Sequence, residues 1–390
     1  AYVKSDSTPA ALKGGEFAFD LYEGDLTAEQ LKGKQPIRSA KNGEDGTVTF
    51  PAINYTKAGE YKYTIVEKKG DLSHVTFDDA VHHAAVKVMD KAGKLDAAVA
   101  YDGDKADAPT FTNTYTAKGS VELTATKVVA VAPGFTHDTK LKGGEYTFEL
   151  KDADGKVLDT AKNEADGTVK FTRGFKLADL GGAASKDFTY TIVEQPGAET
   201  GMVYDNHPLT YKVTVTDGGN GALNAKAIVT STSGSETFTN TYQPAATGLA
   251  LGAQKSYAKK DDNTPIILKG GEFTFDVYEG NLTAEQLKGK QPVRTATNDA
   301  NGSVGFDAFS YAKPGTHEYT IVERKGDLAY VTYDAAVHHA VVTVADNAGT
   351  LQASVAYDGT DATKPTFTNT YEARATDSGA IALTKSVNVH

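Results

Sequence analysis

The sequence predicts an all-β protein: three tandem immunoglobulin-like β-sandwich domains in an elongated rod. Three observations carry this expectation. The 390 residues include 38 glycines, 20 tyrosines and 16 phenylalanines but only 39% hydrophobic residues, a mix that suits short strands, many turns and thin cores. The chain repeats itself at a domain-sized period. Short stretches also alternate apolar and polar residues with period two between Gly, Asp and Asn turns, as at 16–22, 47–50, 60–67, 84–90 and 94–101.

The repeats run in the order A–B–A. Leu12-Lys13-Gly14-Gly15-Glu16-Phe17 returns as Leu268-Lys269-Gly270-Gly271-Glu272-Phe273, and more distantly as Leu141-Lys142-Gly143-Gly144-Glu145-Tyr146. Each repeat closes on Phe-Thr-Asn-Thr-Tyr, at 111–115, 238–242 and 367–371. The expected domains are 1–115, 116–244 and 245–375, with 376–390 the opening strand of a following unit or a donor strand. About seven short strands per repeat fit a sandwich. One short helix is expected in each A repeat, where Asp25 or Asn281 caps Leu-Thr-Ala-Glu-Gln-Leu.

Bulk properties exclude several function classes. A net charge of −11 argues against a nucleic-acid partner. No apolar window reaches spanning length, so no membrane insertion is expected in these residues. With no cysteine, thiol catalysis and cysteine-bound structural zinc are excluded. Small extracellular β domains commonly rely on disulfides, so this chain needs another stabiliser or an intracellular setting. His82-His83 and His338-His339 lie in strands and point to opposite faces, so no metal site is expected. Asp152-Ala153-Asp154-Gly155 reads as a hairpin turn rather than a calcium loop. No cofactor-binding motif is present.

Parity along the strands then singles out three polar residue types on apolar faces. Glu67 shares a face with Tyr61, Tyr63 and Ile65; Glu194 follows Phe188, Tyr190 and Ile192; Glu323 follows Tyr319 and Ile321. Asn113, Asn240 and Asn369 sit between the Phe and Tyr of each closing motif. Lys127 aligns with Leu123, Ala125 and Val129, and Lys255 with Leu251, Ala253 and Tyr257. Glu-to-Asn separation is 46 in every repeat (113 − 67, 240 − 194, 369 − 323), and persists in the divergent B repeat. A buried carboxyl and a buried amine both favour their neutral forms. A neutral lysine can then attack the asparagine carbonyl while the protonated glutamate polarises it and passes protons to departing ammonia. The roles expected are nucleophile for Lys127 and Lys255, acceptor for Asn240 and Asn369, and proton shuttle for Glu194, Glu323 and Glu67.

The full pattern is a first-strand Lys, then Gly-Glu-Phe-x-Phe, then Tyr-x-Tyr-x-Ile-x-Glu, then Phe-x-Asn-Thr-Tyr. It resembles the isopeptide-linkage domain of Gram-positive pilins, a family that includes the streptococcal major backbone pilin and tandem-repeat stalks of surface adhesins. The resemblance covers nearly the whole chain. It implies a structural stalk or pilus-like shaft on the Gram-positive cell surface, not a turnover enzyme. It also implies autocatalytic Lys127–Asn240 and Lys255–Asn369 bonds between first and last strands, and no cofactor. Expected partners are neighbouring repeats or copies of the chain.

The first repeat departs from the pattern. Lys4 aligns with Lys259 rather than Lys255, so Glu67 and Asn113 have no lysine of their own in the sequence. At the far end, Lys385 shares an apolar face with Ile381, Leu383 and Val387. Either the repeats continue beyond this sequence, or Lys385 of one molecule bonds to Asn113 of the next. A ligand-binding adhesin, using loops 25–34 or 178–186 for a host glycan or matrix protein, is the second function class.

Overall fold

The structure, a computed structural model, describes residues 1–231, 235–359, 362–374 and 384–387. It is built almost wholly of strands, as three tandem β-sandwich domains. The chain divides into two compact units: Ala1–Lys127 with Leu141–Gln195 and Asn206–Phe238, and Val128–Lys140 with Pro196–Asp205 and Thr239–His390.

The first unit holds the first repeat and the larger sheet of the second. In the first repeat one sheet runs Arg38–Lys41, Ala18–Glu23, Gly59–Lys68, Val81–Lys91, Lys94–Tyr101. The other sheet pairs opening strand Tyr2–Lys4 in parallel with closing strand Asn113–Tyr115, and Val75–Thr76 lies on the far side. The second repeat's five-stranded sheet has the matching order Val157–Lys162, Thr147–Lys151, Ser185–Glu194, Leu209–Asp217, Leu223–Val229. Its opening strand pairs with Thr168–Lys176 over Lys118↔Lys176 to Thr126↔Thr168.

The second unit contains the third repeat. Its five-stranded sheet runs Arg294–Thr297, Thr274–Glu279, Gly315–Arg324, Val337–Asn347, Thr350–Tyr357. The facing sheet is Ser303–Gly305, Gly252–Lys259, Thr366–Tyr371, Val331–Thr332. Here too the opening and closing strands lie side by side in parallel, with Lys255↔Phe367 and Tyr257↔Asn369 in register. Phe273, Phe275, Val277, Ile321, Val342 and Phe367 fill the space between the sheets.

The recurring Lys-Gly-Gly-Glu-aromatic motif has a structural explanation. Gly270 and Gly271 take φ of +90° and +87°, backbone that L side chains rarely adopt. The bend brings Glu272 Oε2 to accept from Asn298 Nδ2 at 2.9 Å, while Asn298 Oδ1 accepts from the Phe273 N–H at 2.9 Å. Asn42 with Glu16 and Asn163 with Glu145 repeat the arrangement. A buried amide thus satisfies the backbone where the aromatic enters the core.

Two expectations need correction. The sequence Leu-Thr-Ala-Glu-Gln-Leu is a turn rather than a helix in both A repeats. It makes one i→i+4 bond, Leu31 N–H to Thr27 O, before Gly33 at φ +79° ends it, too few to offset helix nucleation. Asp25 instead pairs with His83 and Lys62. Residues 47–50 form no strand, only a bridge of Val48 with Asn42. The equivalent Ser303–Gly305 pairs with 252–254 of the opening strand, a pairing not seen in the first repeat among the described residues. Beyond these, Thr64 and Thr320 are fully buried, because the 24–26 and 280–282 turns fold over them and hydrogen-bond their hydroxyls.

Candidate cross-linking site

In the third repeat the three residue types singled out by parity converge. Lys255 points inward from the opening strand, with its side chain fully buried. Its backbone N–H donates to Gly302 O at 2.6 Å. Gly302 has φ +78°, and a Cβ there would lie 2.3 Å from Lys255 O. Glycine is therefore required for the strand to sit this close. Phe273, delivered by the motif above, lies with its ring centroid 4.7 Å from Lys255 Nζ.

Glu323 joins the other two. Its Oε2 accepts from Lys255 Nζ at 2.8 Å, and its Oε1 accepts from Asn369 Nδ2 at 2.6 Å. Burial pushes the Glu323 carboxyl up, against the pull of the Lys255 and Asn369 contacts. Burial also pushes the Lys255 ammonium down, against Glu323. Both directions favour a neutral acid beside a neutral amine.

A fourth participant escaped the sequence analysis. The Asp334 N–H donates to Asn369 Oδ1 at 2.7 Å. Its carboxylate accepts from the Thr368 N–H at 2.7 Å and the Ala336 N–H at 2.8 Å, locking this corner. A donor aimed at the amide oxygen is placed where negative charge develops when that carbonyl is attacked. Asp78 and Asp205 repeat it, their N–H groups reaching Asn113 and Asn240 at 2.8 Å. A signal was available: each Asp follows an aromatic residue and precedes its Asn by 35 residues.

The middle repeat reproduces the acid–amine pair, with Lys127 Nζ 2.8 Å from Glu194 Oε2 and both side chains fully buried. Lys127 Nζ also lies 4.6 Å from the Tyr146 ring centroid and 3.4 Å from Phe238 O. Gly167, at φ +89°, would place a Cβ 2.4 Å from Lys127 O. Asn240 is fully buried in its closing strand.

The first repeat brings together Glu67 and Asn113, Nδ2 to Oε1 at 2.5 Å. Glu67 Oε2, the counterpart of the oxygen that takes Lys255, is buried without a hydrogen-bond partner among the described residues. Register puts Tyr2 opposite Asn113 as Tyr257 is opposite Asn369, so Lys4 occupies the place of Lys259. At the far end Lys385 is exposed and outside any strand, and Ile381 and Leu383 of its expected strand lie outside the described residues.

The histidines fall as parity requires, His82 against Asp102 and His83 against Asp25. No cluster of potential metal ligands occurs among the described residues.

In the third repeat, then, the first and last strands of a β-sandwich are joined internally through a buried amine, acid and amide. The chain belongs to the Spy0128-like isopeptide-containing domain family (FctA), whose family model matches residues 3–116, 123–243 and 251–372. Similar solved structures include the major pilin of Streptococcus pyogenes, at 14% identity over 64% of this chain and 98% of that chain, TM-score 0.24. GBS52, the minor pilin of Streptococcus agalactiae, shares 12% identity over 69% and 99%, TM-score 0.19. A double mutant of the shaft pilin SpaA from Lactobacillus rhamnosus GG shares 9% over 66% and 100%, TM-score 0.17. No curated protein matches the chain. Each of the three repeats is thus a member of the isopeptide-containing domain family.

Proposed function

We propose that the chain is a load-bearing shaft segment whose second and third repeats each form one Lys–Asn isopeptide bond, Lys127 to Asn240 and Lys255 to Asn369. The observation that carries this reading is Glu323 holding the amine on one carboxyl oxygen and the amide on the other. In the step proposed, Lys255 Nζ attacks Asn369 Cγ and charge moves onto Oδ1 beneath the Asp334 N–H. Glu323 takes the proton from the attacking nitrogen and delivers one to Nδ2. The C–Nδ2 bond breaks, ammonia leaves, and an amide replaces an amide with no oxidant required. Glu194 serves the middle repeat in the same way. A bond between adjacent first and last strands carries tension past the hydrogen-bonded sheet, as suits a fibre on the cell surface.

Intact mass spectrometry tests the reading. The native chain should weigh less than its sequence by two ammonias, and Glu194→Ala and Glu323→Ala should each restore one. An undiminished native mass refutes it.

The orphaned Glu67 Oε2 supports a second proposal, that the first repeat accepts an amine from a strand other than its own, with Lys385 of another copy the candidate donor to Asn113. Boiled, reduced electrophoresis of the native protein should then show a ladder; a single band removes the proposal.

A further inference from the structure

The middle repeat differs from the other two at one corner. In the third repeat the hydroxyl of Tyr319, four residues before Glu323, hydrogen-bonds to that of Tyr311 at 3.1 Å. In the first repeat Tyr63 and Tyr55 make the same pair at 3.0 Å. Tyr190 holds this place in the middle repeat, four residues before Glu194. Strand register shows what replaces its partner. Tyr311 lies opposite Thr247, eight residues before Lys255, and Phe175 lies opposite Gly119, eight before Lys127. By the same count Arg173, opposite Val121, stands where Phe309 lies opposite Leu249. A phenyl ring thus takes the place of a phenol, and a guanidinium the place of a phenyl ring.

The exchange leaves two polar groups unpartnered. Tyr190 is only 4% exposed, yet its hydroxyl makes no hydrogen bond among the described residues. Arg173 lies over the same ring, its guanidinium carbon 5.6 Å from the centroid, and its Nε is buried with no acceptor among the described residues. Both residues line an open cleft of about 610 Å³, bordered by the 152–154 turn and by the 178–186 segment. Both borders are held in place. Asp152 Oδ1 accepts from the N–H groups of Asp154 at 3.1 Å and Lys156 at 2.9 Å. The 178–186 segment is anchored by buried Leu180, and Lys186 Nζ donates to Asp179 O at 2.9 Å. Phe188 is the most exposed of the three rings in the cleft and lies nearly parallel to Tyr190, at 13°.

The chemistry of the cleft selects its ligand. Phe188 offers a face to the apolar side of a saturated ring. Arg173 and the Tyr190 hydroxyl offer donors, and the Asp154 carboxylate, unpaired among the described residues, offers an acceptor. The lining holds two cations, Arg173 and Lys186, against four aspartates, so its field opposes an anion. A neutral sugar ring meets every requirement, since its hydroxyls both donate and accept. We propose that this cleft binds a neutral saccharide, with its ring on Phe188 and its hydroxyls shared between Arg173, Tyr190 and Asp154. The 178–186 segment, one of two expected from sequence to serve recognition, borders the site. None of the cross-linking residues lines it.

Saturation-transfer difference NMR on the full chain tests this. The probes are methyl β-glucoside, methyl β-galactoside, methyl α-mannoside and N-acetylglucosamine, with glucuronate as the acidic comparison. A neutral probe should bind, and its strongest signals should come from protons on one face of the ring. Arg173→Ala and Phe188→Ala should each weaken binding by roughly tenfold, as loss of one charge-assisted hydrogen bond or one stacking face implies. Phe175→Tyr restores the hydroxyl that Tyr190 lacks and removes no atom from the core. It too should weaken binding, and this loss cannot be ascribed to a cavity. His317→Ala, at the place in the third repeat that Phe188 holds in the second, should leave binding unchanged. Absence of transfer to every neutral probe, tighter binding of glucuronate, or binding indifferent to all three cleft substitutions overturns the proposal.

Discussion

At the scale of single residues, Glu323 and Lys255 face each other across a hydrogen bond of 2.8 Å. Burial raises the first and lowers the second, so the reactive arrangement holds one proton on the carboxyl and leaves the amine neutral. A second proton, gained in acid, blocks the nucleophile. Loss of the last, in alkali, removes the acid that releases ammonia. Bond formation in newly synthesised chain should therefore trace a bell against pH, its limbs belonging to the pair rather than to either residue; a rate that only climbs with pH contradicts this. Glu272 behaves in the opposite sense. Burial pushes its carboxyl up, but hydrogen bonds from Asn298 and the Lys269 N–H outweigh that and hold it below its ordinary value. Its contribution to stability is present above the unfolded-state carboxylate pKa and is lost as pH falls through the lower folded one. Acid unfolding should be less steep in Glu272→Gln than in the native chain when followed by circular dichroism.

At the scale of elements, the opening strand is where packing tolerance is smallest. Gly302 and Gly167 combine positive φ with sub-contact approach to the backbone carbonyls of Lys255 and Lys127. Gly302→Ala should cost about 1–3 kcal/mol, measured by denaturant unfolding in a Glu323→Ala background so that no covalent bond masks the loss. An unchanged midpoint would mean that the strand shifts freely. Strand parity made most of the site legible, because alternate residues point to one face and a Lys, Glu or Asn among aromatics stands out. Parity could not reveal Asp334, whose part is played by a backbone N–H in a loop. Nor does alternation reveal the burial of Thr64 and Thr320, which comes from turns folded over them. The short helix failed for a related reason: a capped, apolar-spaced segment is too brief to hold helical form when its capping aspartate is drawn to His83.

At the scale of the whole molecule, the proposed bonds close loops of 113 and 114 residues (240 − 127 and 369 − 255). Loop-closure entropy assigns each about 4–5 kcal/mol of stabilisation if a disulfide's arithmetic carries over, which fits a chain of thin-cored domains with no cysteine. In the first repeat no lysine meets Glu67 and Asn113 among the described residues, so no such bond is assigned to it from within these residues. Calorimetry should show it unfolding before the other two, and Glu323→Ala should bring the third repeat down towards it. A single transition unaffected by that substitution would contradict the assignment.

The most direct test of the central claim is peptide mapping of the native protein after complete digestion. The account predicts a branched peptide joining the segment that contains Lys255 to the segment that contains Asn369, and a second joining those of Lys127 and Asn240, each lighter than its two parts by one ammonia. Recovery of all four segments as separate, unmodified linear peptides would contradict it.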